Sequence, residues 1–155
     1  MNQDNFFMHQ AINLARYAES QNEVPIGAVV VYNEQIIGSG WNQPIATTDP
    51  TAHAEIIALR QAAKYLHNYR LVDTTLYVTL EPCIMCLGAM LHARIKRLVF
   101  GACDPKVGAI KSIFNFLDNT KLNHKIVFQS GVLEPECAEL IINFFKKKRN
   151  NFTSD

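Results

Sequence analysis

Four side chains in this sequence have the types and spacing of a metal-centred acid/base site. His53 and Glu55 are separated only by Ala54, and Cys83 and Cys86 form a Cys-x-x-Cys pair directly after Pro82. A catalytic zinc takes three protein ligands of nitrogen and sulfur type and keeps its fourth position for water. His53, Cys83 and Cys86 supply three such ligands. Two thiolates and a neutral imidazole cancel the charge of the ion and weaken its pull on that water, so a nearby base is of value near neutral pH. Glu55 is placed to be that base. A carboxylate that takes a proton and then returns it suits the hydrolytic loss of an amine.

Each half of the pattern is ambiguous alone. Cys-x-x-Cys also occurs in redox pairs and in structural zinc knots, and His-x-Glu is weaker still. A structural zinc closes with four ligands. Here Cys103 and Cys137 are isolated, and His9, His67, His92 and His124 fit no motif. The joint pattern, H-A-E and then P-C-x-x-C, is a known signature of zinc deaminases of nucleobases.

Some thirty positions separate the two halves, so the fold must bring them together. Asp4 is a plausible N-cap for a first helix whose apolar face is Phe7, Ala11, Leu14, Ala15 and Ala18. Ile26 to Tyr32 and Gln35 to Gly40 read as a hairpin about Asn33-Glu34. Trp41 to Pro50 is a polar loop in which Asn42 is either a turn residue or a ligand-binding one. A second helix opens near Thr51, its predicted N-cap, with Ile56, Leu59, Ala63 and Leu66 buried. Thr74 to Leu80 is a third strand. Pro82 opens a third helix, with Cys83 and Cys86 on one side of its first turn. The positive end of that helix favours the thiolates zinc requires. Arg97 to Gly101 follows as a parallel strand after a crossover. A long segment then carries a short helical turn near Ser112 to Leu117. Lys125 to Gln129 is a fifth strand, and Glu134-Pro135-Glu136 opens a last helix with Cys137, Leu140, Ile141, Phe144 and Phe145 inward. The order predicts an α/β protein, a three-layer α/β/α sandwich on a mixed five-stranded sheet. Residues 1–149 make a single domain, with a loose tail over 150–155.

The totals set bounds. The 155 residues are 48% apolar, enough for one well-filled core. No apolar run is long enough for a membrane span, and the N-terminus lacks a secretion-signal pattern, so a cytoplasmic protein is expected. The formal net charge of +1 gives no strongly basic footprint. Any nucleic-acid contact is therefore local, and Lys146 to Arg149 is the concentrated basic run.

The sequence resembles the bacterial tRNA-specific adenosine deaminases, within the cytidine deaminase-like superfamily. The likeness lies in Glu23 to Val29, Gly40-Trp41-Asn42, Asp49 to Ile56, Asn68 to Leu71, Thr75 to Cys83, Val99 to Ala102, Asn123-His124 and Phe144-Phe145. It implies deamination of adenosine to inosine at the wobble position of a tRNA anticodon, an arginine tRNA foremost. It implies one zinc per subunit on His53, Cys83 and Cys86, with Glu55 as proton shuttle, in a homodimer that grips the anticodon loop. It implies that Asn42 bonds the flipped base or its sugar, with Val24, Ile26 and Ala54 near the base. Asp104, Lys106, Asn123, Phe144, Phe145 and Arg149 would hold the splayed loop. Phe144 and Phe145 read equally well as core, and the lysines after them as a solvated helix end. The departure is Cys103, where arginine is more usual; it would alter a backbone contact beside the site. Two rivals remain. One is a deaminase of a free base or nucleoside such as guanine or cytosine. The other is a zinc-stabilised binding module, which would have no use for Glu55.

Overall fold

In the computed structural model, residues 2–152 are described. In chain order the elements are α1 (Gln3–Ser20), β1 (Gly27–Tyr32), β2 (Gln35–Trp41), α2 (Pro44–Thr47), α3 (Ala54–Leu66), β3 (Thr75–Leu80), α4 (Ile84–Ala93), β4 (Arg97–Ala102), a 3-10 turn (Phe116–Asp118), β5 (Val127–Gln129) and α5 (Glu134–Phe152). The five strands lie in the order β2-β1-β3-β4-β5. β1 is antiparallel to β2 and β3, whereas β3, β4 and β5 are mutually parallel. The mixed five-stranded sheet of the expected sandwich is therefore present.

Side chains alternate across this sheet, as the two-residue period of a strand requires. Ala28, Val30, Leu76, Val78, Leu98 and Phe100 join one core, shared with α3 and α4. Val29, Val31, Tyr77 and Val99 join the other, shared with α1 and α5. Both faces are covered, which accounts for the nearly unbroken apolar strands.

The structure revises several local expectations. Asn2, not Asp4, caps α1, its side chain accepting from the Asn5 N–H at 2.7 Å. Asp4 instead meets Arg97 through two 2.8 Å hydrogen bonds and accepts from the Tyr77 hydroxyl at 2.8 Å. The loop after β2 contains the short helix α2. The buried face of α3 is Ala54, Glu55, Ala58, Leu59 and Ala62, while Ile56, Ala63 and Leu66 are only partly covered. The cause is close packing on β2. A Cβ at Gly40 would overlap the Ala54 carbonyl oxygen, and one at Gly38 the Ala58 carbonyl oxygen, so only small residues fit beneath the helix.

In α5, Cys137 and Phe144 are buried, Leu140 and Ile141 are half-buried, and Phe145 is exposed. Cys137, Leu140 and Phe144 share one stripe at helical spacing, and Phe145 falls on its edge. The helix continues through Phe152, so Asn150 and Asn151, expected in a loose tail, are helical; residues 153–155 lie outside the described part. Among the described residues no helix is long and apolar enough to cross a membrane.

Candidate metal centre

The two motifs meet at helix starts on one side of the sheet. His53 is the N-cap of α3, with extended backbone (φ −75°, ψ 154°), and Cys83 is the N-cap of α4 (φ −77°, ψ 173°). Thr51 is not the cap: its N–H and hydroxyl both bond the Asp49 carboxylate, at 2.8 and 2.7 Å, in a turn before the helix. Pro82 likewise lies two residues before the first residue of α4, ahead of the Cys83 N-cap, rather than inside the helix. Cys86 is then the third helical residue, and the Cys83 carbonyl accepts from the Leu87 N–H at 3.0 Å.

His53 Nδ1 lies 3.6 Å from Cys83 Sγ and 3.5 Å from Cys86 Sγ. The ligand atoms of the three residues all fall within 4.8 Å of one another. Tetrahedral zinc, with Zn–S near 2.3 Å and Zn–N near 2.0–2.1 Å, places nitrogen and sulfur ligands about 3.6 Å apart. The donor set and its spacing therefore fit zinc. Hydrogen bonding from Cys86 holds the Cys83 thiol down to about 4, while Cys86, as the donor and in a buried position, is pushed up. His53 is raised by its hydrogen bond with Cys83. One sulfur is ready to be a thiolate, and metal binding takes the proton from the other.

Glu55, in the first turn of α3, is 4% exposed. Burial raises its carboxyl, only partly opposed by a hydrogen bond from its own backbone N–H and by His53. A raised carboxyl is suited to carry a proton both ways near neutral pH.

The expected base-side residues Asn42, Ala54, Ile26 and Val24 are linked to one another by hydrogen bonds. Asn42 is buried, and its Oδ1 accepts from the Ala54 N–H at 2.8 Å, so it closes the first turn of α3 in place of a side chain from the N-cap. The Asn42 N–H in turn donates to the Ile26 carbonyl at 3.1 Å, which brings in Val24 and Ile26. Asn42 is thus a structural cap as well as a candidate contact, since its NH2 end remains to be offered.

Asp104 and Lys106 follow the end of β4 and are tied to the metal side by Glu81, a residue that sequence reasoning passed over. Its carboxylate accepts from the backbone N–H groups of Asp104, Ile110, Lys111 and Ser112 at 2.8–3.1 Å, and from the Ser112 hydroxyl. Burial raises this carboxyl, but the hydrogen bonds win and it is lowered. The signal was a carboxylate closing an apolar strand just before Pro-Cys. Glu23 was missed in the same way: it is buried and accepts from the N–H groups of Ile45 and Ala46, at 3.1 and 2.8 Å, at the start of α2.

The remaining candidates stand apart. Lys106 Nζ lies 5.8 Å over the Phe145 ring and Lys148 Nζ 4.9 Å over the buried Phe144 ring. Arg149 is on the same helix. Asn123 is exposed in a turn whose next residue, His124, bonds the Ile95 carbonyl at 2.7 Å. That is the start of β4, at the opposite end of the parallel strands from Cys83. Cys103 is exposed and outside the cluster.

Fold and site together define a zinc-dependent deaminase. A family model described as the cytidine and deoxycytidylate deaminase zinc-binding region matches residues 1–102. A tRNA-specific adenosine deaminase of Haemophilus influenzae is 57% identical over 147 residues, covering 94% of this chain and 85% of the relative. A solved structure from work on A-to-I editing by tRNA:A34 deaminases superposes with a TM-score of 0.84 at 44% identity, covering 87% of this chain and 98% of the other. The guanine deaminase of Nitrosomonas europaea reaches a TM-score of 0.80 at 22% identity over 90% of this chain and 83% of its own, which shows a shared fold alone. The chain belongs to the tRNA-specific adenosine deaminase family.

Proposed function

We propose that this chain deaminates adenosine to inosine at the wobble position, A34, of a tRNA anticodon, with an arginine tRNA as its substrate. The observation that carries the reading is the meeting of His53, Cys83, Cys86 and buried Glu55 at two helix starts. The tRNA-specific adenosine deaminase relatives and the solved tRNA:A34 deaminase support a tRNA and its wobble adenosine as substrate, and the arginine tRNA follows from the resemblance of the sequence.

Bound zinc supplies Lewis acidity that lowers the pKa of a coordinated water toward neutrality. Glu55 accepts a proton from the attacking water. It passes that proton to the purine ring nitrogen beside the attacked carbon, then takes the proton of the added hydroxyl and gives it to the departing amine. Water adds, ammonia leaves and inosine remains. Asn42 donates from its NH2 end to the base or its sugar. Val24, Ile26 and Ala54 line the base. Asp104, Lys106, Phe145 and Arg149 hold the unpaired loop, whose bases swing out without breaking a duplex. A homodimer offers each site a second surface. Exposed Ile84, directly after the ligand Cys83, is the kind of apolar residue such an interface covers.

The test is to supply free adenosine, free guanine and an unmodified arginine anticodon stem-loop in parallel. The stem-loop should be turned over far faster than either free compound. Comparable rates on a free base would favour the small-molecule reading.

A further inference from the structure

We infer that Glu81 is a positioning residue for the polynucleotide substrate: its buried carboxylate holds the 104–112 loop against the metal-bearing turn, and so places Lys106 beside Phe145. The inference rests on the function proposed above.

Between the end of β4 at Ala102 and the 3-10 turn at Phe116 there is no strand or helix. Asp104 Oδ1 accepts from the Lys106 and Val107 N–H groups within the segment, and Glu81 ties the segment to the rest of the fold. Glu81 Oε1 accepts from the Asp104 N–H and the Ser112 hydroxyl, and Oε2 from the N–H groups of Ile110, Lys111 and Ser112. Both ends of the loop are thereby gathered on a carboxylate that is 2% exposed. The backbone adds a direct tie, with the Ala109 N–H donating to the Pro82 carbonyl at 2.9 Å. Gly108 faces the carboxylate so closely that a Cβ there would overlap it. Ala109 and Ile110 then enter the same core as Cys86 and Leu87.

Glu81 stands two residues before Cys83, so one residue joins the ligand turn by its backbone and the loop by its side chain. At the outer side of the loop, Lys106 reaches the exposed ring of Phe145 on α5. A cation over an exposed aromatic ring suits a phosphate and an unstacked base. Glutamine cannot replace Glu81. Its amide would turn an NH2 toward backbone N–H donors that need an acceptor.

The test combines Glu81→Gln with Gly108→Ala, which keeps the Glu81 carboxylate but forces it and the loop apart. Three readouts are taken: zinc per chain, amide hydrogen exchange at Ile110 to Ser112, and kinetics on the anticodon stem-loop. Both variants should keep one zinc per chain and lose exchange protection at those amides. KM for the stem-loop should rise about tenfold or more, while kcat changes by less than about threefold. Unchanged KM in a variant whose loop amides have lost protection would overturn the inference. Loss of zinc from Glu81→Gln would do so too, by placing the role on the ligand turn. Should Glu81→Gln fail to fold, Gly108→Ala decides by the same criteria. Wild-type protein inert on the stem-loop would overturn the proposed function itself, a result seen before any variant is made.

Discussion

Asn42 caps the helix that carries Glu55: its Oδ1 accepts from the Ala54 N–H, midway between the histidine ligand and the proton carrier, at 2.8 Å. Removing the side chain should therefore cost stability and activity together. Asn42→Ala is expected to lose about 1 kcal/mol, the usual cost of a deleted cap. Asn42→Asp keeps the acceptor oxygen at a helix N-terminus, which favours it, but has no NH2 to offer the substrate. Its unfolding midpoint should stay near wild type while its turnover stays low. Wild-type turnover by Asn42→Asp would remove the proposed contact to the base.

Cysteine substitutions separate ligands from bystanders. Cys86→Ala should lose both metal and activity, since Cys86 Sγ sits 3.5 Å from His53 Nδ1. Cys103→Ala should keep both, because Cys103 is exposed and outside the cluster. Metal analysis of the purified variants checks this. One zinc per chain in Cys86→Ala would show a different ligand set.

The paired phenylalanines of α5 should divide by role. Phe144 is buried and Phe145 is 39% exposed. Phe144→Ala is expected to destabilise by roughly 3 kcal/mol through lost packing. Phe145→Ala should leave the unfolding midpoint near wild type and weaken stem-loop binding several-fold, by loss of stacking. Denaturant titration alongside a binding isotherm reads both. Equal effects on stability would return Phe145 to the core.

The Asp4–Arg97 pair predicts a pH dependence. The Arg97 hydrogen bond holds the Asp4 carboxyl below its ordinary value of 3.8, against an opposing effect of burial. A carboxyl lowered in the folded state adds stability above its unfolded pKa and loses it as pH falls through the folded one. Stability should thus drop below about pH 4, and Asp4→Asn should flatten that part of the curve. The loss at neutral pH in Asp4→Asn should be at most about 1.5–3 kcal/mol, the range for hydrogen bonds to a charged group, reduced by the partial exposure of the pair. An unchanged acid limb in Asp4→Asn would assign it to other carboxyls.

Much of this molecule was legible in the sequence, for identifiable reasons. His53, Glu55, Cys83 and Cys86 could be read because metal chemistry demands particular residue types at short spacings. The apolar strands could be read because burial on both faces leaves few polar positions. Other features depended on partners far along the chain. Asn42 is an ordinary loop asparagine until Ala54 arrives from twelve residues away. Glu81 is an isolated carboxylate until five donors from 104–112 surround it. The alanine face of α3 made sense only against Gly38 and Gly40, because closeness of approach is a property of two backbones and not of one apolar pattern.

Glu55 tests the chemistry most directly. Inosine formed in an arginine anticodon stem-loop should be measured for wild type and Glu55→Ala, each first shown to carry one zinc per chain. The expected result is inosine at the wobble position with wild type, and a rate at least about a hundredfold lower with the variant, as expected for a lost proton carrier. A zinc-loaded Glu55→Ala enzyme working near the wild-type rate would contradict the assignment of proton transfer to this carboxylate.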